Sequence, residues 1–200
     1  MRLSRKEARS GLSIRPGACV TSPTEREPRS PDTLEEAAMP HGTPVDVTVT
    51  RTVAARPETL YDLVSDVTQM ARWSPETVAT RWLGDARGAA VGARFAGTNR
   101  LGRLTWTTKP TVTAARRGAV FAFKVPGRSG PTWTYTFTPA PEGTTVTESV
   151  VQERRSPLLI RVLQRRAGVK DRADHLRAGM STTLERLAAA ATAQQTVVRT

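Results

Sequence analysis

The sequence predicts an α+β domain in which a curved, seven-stranded antiparallel sheet wraps around a long C-terminal helix, with two short helices between strands 1 and 2. Three observations carry this expectation. Segments with period-2 alternation follow one another through short, glycine-containing connections, which suits hairpins rather than parallel crossovers. In one of them Trp133, Tyr135 and Phe137 alternate with Thr132, Thr134, Thr136 and Thr138, so one face is aromatic and the other hydroxylic. Near the end of the chain Leu176, Met180, Leu184, Leu187 and Ala191 recur at four- and three-residue spacing, the stripe of a helix able to cover that aromatic face.

Taken in order, residues 1–44 contain Pro16, Pro23, Pro28, Pro31, Pro40 and Pro44 and no stretch of helical or strand periodicity. Ordering them would bury too little apolar surface to offset the entropy lost, so they read as a disordered Pro/Arg-rich tail. Met39, just before the first periodic segment, is a candidate native start, which N-terminal sequencing would test. The folded domain is expected over residues 45–191, with 192–200 as a C-terminal tail. Val45, Val47 and Val49 alternate with Asp46, Thr48 and Thr50, the pattern of a half-buried strand. Pro57 opens a short helix with Glu58 in its first turn and Leu60, Leu63, Val64 and Val67 on one face. A second helical turn, residues 67–72, runs into Trp73-Ser74-Pro75, where proline blocks continuation. Six strand segments follow, at 77–83, 93–100, 104–114, 120–125, 132–139 and 144–153. Leu158, Leu159, Val162 and Leu163 form a shorter helix, and Gly168 separates it from the long one, expected from Arg172 to Ala191.

Composition narrows the function classes. A chain of 200 residues that is 38% hydrophobic and 24% charged fits one domain plus a tail. No apolar run approaches the ~18 residues of a membrane-spanning helix. Arg2, Arg5, Lys6 and Arg9 are followed by no apolar stretch of secretory type, so the expected location is the cytoplasm. Cys19 is the single cysteine, and only His41 and His175 accompany it. That excludes an internal disulfide framework and a Cys/His metal cluster, and no cofactor is expected. The net charge of +12 admits nucleic acid or an anionic membrane as partner. Nearly all the basic residues are arginine, however, a usage that a high-GC genome also produces without selection for binding.

Particular residues carry a resemblance over residues 45–191. They are Ala54-Ala55-Arg56-Pro57-Glu58 after the first strand, the elbow from Val64-Ser65-Asp66 to Trp73-Ser74-Pro75, and Val91-Gly92-Ala93-Arg94-Phe95. Gly143-Thr144-Thr145-Val146-Thr147-Glu148-Ser149 and the stretch from Leu176-Arg177-Ala178-Gly179-Met180 to Leu187 complete the set. In this order they resemble the START-like or Bet v 1-like superfamily, and within it the bacterial polyketide cyclase/dehydrase and lipid-transport group. The resemblance implies a helix-grip fold with a pocket between the sheet and the long helix. It does not imply one chemistry, since the fold carries binding, transfer and cyclisation without a shared catalytic motif.

In such a fold the aromatic residues of the concave face are candidate ligand contacts: Phe95, Trp106, Phe123, Trp133 and Tyr135, with Trp73 of the elbow and Met180 of the long helix. The same residues also satisfy the description of an ordinary core. Two polar residues share the inward parity. Glu148 lies in phase with Val146 and Val150, which sends a carboxylate toward the pocket, or, with reversed parity, toward one of the many arginines at the surface. Asn99 lies in phase with Phe95 and Gly97 and either meets a ligand or caps the turn before Gly102. These residues point first to binding or carriage of a hydrophobic or amphipathic small molecule. A polyketide cyclase, aromatase or dehydratase is the alternative. It would rely on Glu148, Tyr135 and Arg94 or Arg100, because no histidine falls within a strand. A third reading is an interaction protein that uses Arg161, Arg165, Arg166 and Lys170 against an anionic membrane surface; nucleic acid lacks any accompanying recognition motif.

Overall fold

The structure is a computed structural model that describes residues 45–154 and 156–198, except the side chains of residues 161 and 195–198. The expected tail over 1–44, the start at Met39, and Cys19 and His41 fall outside the described residues.

Chain order is β1 (Val45–Val53), α1 (Pro57–Ser65), a 3-10 turn (Val67–Gln69), α2 (Met70–Trp73), β2 (Thr77–Leu83), β3 (Arg94–Leu101), β4 (Leu104–Thr108), β5 (Thr111–Arg116), β6 (Val120–Lys124), β7 (Thr132–Ala140), β8 (Gly143–Gln152), α3 (Leu158–Arg166) and α4 (Arg172–Val198). The strands form one curled antiparallel sheet in the order β1-β8-β7-β6-β5-β3-β2, with β4 hairpinned onto β3. It has eight strands because the segment expected at 104–114 is two. Pro110 has no N–H to donate to a ladder, so pairing breaks at Lys109-Pro110 and resumes at Thr111. Register shifts between Thr77 and Ala79 and between Val112 and Ala114 add the local twist that curls a sheet.

The inward face of the sheet carries Phe95, Val112, Phe121, Phe123, Tyr135, Phe137, Val146 and Val150, all buried. Leu176, Met180, Leu184, Leu187 and Ala191 of α4 are buried against it, so the helical stripe read from the sequence is the face that packs. The stripe divides into two parts. Leu184, Leu187 and Ala191 join α1 residues Leu60, Leu63 and Val64 in the main core, while Leu176 and Met180 form a smaller cluster with Val47 and Val150. Tyr61 completes the main core by edge-to-face contacts with Phe121 and Phe137. α4 runs past the expected end at Ala191 to Val198, because Thr192 to Val198 contains no glycine or proline to stop it.

Glycine is required at one crossing. Gly143 has φ +134, and a Cβ there would lie 2.2 Å from the Val53 carbonyl oxygen. The neighbouring Thr144, fully buried, donates its hydroxyl to the Ala55 carbonyl at 2.6 Å. These two residues clamp the start of β8 onto the β1–α1 turn and so set the register that carries Glu148 inward. No helix among the described residues is long and apolar enough to cross a membrane.

Candidate functional site

A cavity of about 350 Å³ lies where the N-terminal half of α4 leaves the main core. Its walls come from β2, β3, β4, β6, β7 and β8, its roof from Leu176, Gly179, Met180 and Thr183 of α4, and one side from Ile160, Leu163 and Gln164 of α3. The volume falls within the range of small-molecule sites. Sheet pairing explains why the aromatic groups converge. Phe123 is paired with Trp133 on the neighbouring strand, and Tyr135 with Glu148, so each pair projects from one face of the sheet.

The inward reading of Glu148 is the one the structure adopts. It is 2% exposed and sits between Val146 and Val150, each 1% exposed. The Tyr135 hydroxyl donates to Glu148 Oε1 at 2.7 Å, and Oε2 has no hydrogen-bond partner. Burial without a cationic partner pushes the carboxyl up to about 8, although the bond from Tyr135 pulls the other way. The Tyr135 phenol is driven well above its ordinary value by burial and by the adjacent Glu148.

Phe95, Asn99, Trp106, Phe123, Trp133, Tyr135, Glu148 and Met180 all line the cavity. Asn99 accepts a hydrogen bond from the Thr77 hydroxyl at 3.0 Å, across the β2–β3 pair, instead of capping the following turn. Trp73 is placed elsewhere. Its ring is buried in the main core, and its indole N–H donates to the Leu63 carbonyl at 3.2 Å, so the elbow turns it toward α1 rather than toward the cavity. Arg94 and Arg100 are exposed and outside the lining, which removes them as partners of Glu148.

The rim holds a polar cluster that sequence reasoning missed. Glu76 Oε1 accepts from Arg172 Nη1 at 3.2 Å and from His175 Nε2 at 2.6 Å, tying the start of β2 to the first turn of α4. All three side chains line the cavity. Glu76 is separated from the other two by almost 100 residues in the chain, and no local pattern pairs it with them; a glutamate next to Pro75 and a histidine opening the covering helix were the only signals.

On the outer side of the cavity, α3 presents Leu158 and Leu159 at 71% and 69% exposure, with Val162 also exposed. Arg165, Arg166 and Lys170 beside them are exposed as well, while the Arg161 side chain lies outside the described residues.

Comparison with known proteins agrees with this architecture. The polyketide cyclase/dehydrase and lipid-transport family matches residues 44–192. No curated protein matches the chain. Among solved structures, the di-domain ARO/CYC StfQ from the steffimycin biosynthetic pathway is similar at 18% identity and TM-score 0.60, over 76% of this chain and 52% of that one. This chain therefore spans about half of that protein. Major latex-like protein 151 from Panax ginseng is similar at 12% identity and TM-score 0.58, over 75% of this chain and 99% of that one. Protein CV1439 from Chromobacterium violaceum is similar at 16% identity and TM-score 0.54, over 73% and 96%. At these identities the structural likenesses show the shared fold, and the family match shows membership: the chain belongs to the polyketide cyclase/dehydrase and lipid-transport family.

Proposed function

We propose that this protein binds and carries a hydrophobic or amphipathic small molecule, lipid- or polyketide-like, in the cavity between the sheet and α4. The single observation that carries the reading is that cavity, about 350 Å³ of space walled by aromatic and aliphatic side chains and holding a buried carboxyl with a free oxygen. A concave, mainly apolar site of this size with a few convergent polar groups is the usual form of a small-molecule site. Native mass spectrometry and solvent extraction of purified protein are expected to recover an apolar small molecule. Absence of any such ligand, together with no binding from a broad apolar library, would sink the proposal.

One observation favours a second reading. A carboxyl titrating near 8 and hydrogen-bonded to a phenol is poised for proton transfer at neutral pH, as a cyclase, aromatase or dehydratase would require. Under that reading Glu148→Gln abolishes turnover of a polyketide substrate, and unchanged turnover removes it.

The surface partner that suits a carrier is an anionic membrane. Leu158, Leu159 and Val162 would enter the interface while Arg165, Arg166 and Lys170, with Arg161 on the same helix, meet the headgroups. Binding to vesicles containing phosphatidylglycerol should weaken with salt and with Leu158→Ser/Leu159→Ser. Equal binding to uncharged phosphatidylcholine vesicles argues against an anionic partner, and binding to duplex DNA indifferent to the leucine substitutions points to nucleic acid instead.

A further inference from the structure

Resting on the carriage reading, we infer that the cargo is a neutral lipophile bearing a hydrogen-bond acceptor oxygen, a ketone, ester or similar carbonyl, and that this oxygen is bound by the Glu148 carboxyl acting as donor.

The inference starts from the one hydrogen-bonding side-chain atom left unsatisfied in the buried interior of the described residues. Glu148 Oε2 has no partner, whereas Oε1 accepts from Tyr135. A buried polar group without a partner costs more than one that is paired, and native structures retain such groups at places where something else completes them. Glu148 lines the cavity, so the group that completes it comes from the cavity's occupant. Its Oε2 is covered, but the last torsion of a glutamate is soft, so a modest rotation of the carboxyl suffices to present that oxygen at the cavity wall.

The protonation state decides what the occupant offers. Among the described residues, no arginine, lysine or histidine forms an ion pair with Glu148. Its neighbours across the ladders are Tyr135 on β7 and Val49 on β1, and α4 turns Met180 and Thr183 toward the same space. The ionisable groups of the cavity, Glu76 just before β2 and Arg172 and His175 on α4, are tied together through the Glu76 carboxylate at the rim. A carboxylate in this setting would be buried with one hydrogen bond and no counter-charge, so the neutral acid is favoured. The neutral acid accepts from Tyr135 through one oxygen and carries its single proton on the other. That proton is a donor directed at the cargo, and the cargo must supply an acceptor. An anionic cargo would be desolvated where Arg172 and His175 are already bonded to Glu76, a cost greater than its stronger hydrogen bond returns, and it meets repulsion whenever Glu148 ionises.

Three probes of similar shape test this on the whole chain: 2-acetylnaphthalene, its hydrocarbon counterpart 2-ethylnaphthalene, and the cationic 1-(2-naphthyl)ethylamine. At pH 6 the ketone is expected to bind about tenfold more tightly than the hydrocarbon, the worth of one buried hydrogen bond, and its carbonyl stretch should move to lower frequency when bound. Glu148→Gln keeps both the acceptor for Tyr135 and a donor for the cargo, and should retain the preference. Glu148→Leu should erase it, leaving ketone and hydrocarbon equal. Raising the pH to 9.5 should remove the preference from the native chain and spare it in Glu148→Gln. Equal affinities of ketone and hydrocarbon for the native chain, an unshifted carbonyl stretch, or tightest binding of the amine each overturn the inference while leaving carriage intact. The first two readouts need no variant, so a misfolded Glu148→Leu does not blunt the test. Failure of all three probes to bind the folded protein overturns the inference, and if solvent extraction and the broad apolar library also yield no ligand, carriage falls with it.

Discussion

At the scale of single residues, the Glu148–Tyr135 pair ties stability to pH. An acid whose folded value is about 8, against an ordinary 4.5, takes up a proton on folding throughout the interval between them. Its favourable contribution is therefore complete below about pH 4.5 and is lost as the pH rises toward 8. The loss should amount to a few kcal/mol. Urea unfolding at pH 5 and pH 8 is expected to show a smaller decline for Glu148→Gln than for the native chain; equal declines would show that the carboxyl is ionised in the folded state throughout. That Glu148 shares a face with Val146 and Val150 was legible because strand parity is a local property, but which face turns inward was left open by the sequence and is decided by the packing of the valines. The direction of Trp73 was not. A helical elbow leaves the rotation of its last turn to tertiary packing, and here the Leu63 carbonyl captures the indole. The Glu76–His175 contact was equally hidden, since nothing in either neighbourhood encodes a meeting between the residue before β2 and the first turn of α4.

Among the elements, β8 depends on how it begins. The Gly143 position leaves no room for a methyl group beside Val53, and its φ is one that other residues rarely adopt. Gly143→Ala should lower the thermal midpoint by an amount matching several kcal/mol, whereas Gly97→Ala, whose Cβ would find its nearest neighbours at 3.7 and 3.8 Å, should fold normally and only narrow the cavity. A small effect at Gly143 would mean that the β1–α1 turn yields more readily than the clamp implies. The strand order, the two small helices and the covering face of α4 were readable from periodicity and turn residues. The division of the segment at 104–114 was signalled by Pro110 alone, and the continuation of α4 beyond Ala191 by the absence of any stop signal rather than by apolar periodicity, which ends there.

In the whole molecule, one helix serves two environments. Downstream of Thr183, α4 is embedded with α1 in the main core; upstream it roofs open space and is held by a small cluster and by the Glu76 rim contacts. Truncations should therefore differ in kind. Leu187→Ala is expected to cost about 2–5 kcal/mol, as for other filled sites. Occupation of the cavity cannot restore that loss locally, because Leu187 lies outside its lining. Ligand should instead raise the unfolding midpoint of the native chain with concentration, as any molecule that binds only the folded state must.

The same division of α4 has a kinetic consequence. A helix fastened at one end and roofing a void at the other does not have to come away as a unit, because the two ends open with different free energies. Amide hydrogens from Arg172 to Thr183 should exchange with solvent deuterium faster than those from Leu184 to Ala191, and Glu76→Gln should accelerate the first group alone. The domain would then behave as a box with a sprung flap: one end of α4 frays locally, with Glu76 as the latch, while the other end keeps the domain folded.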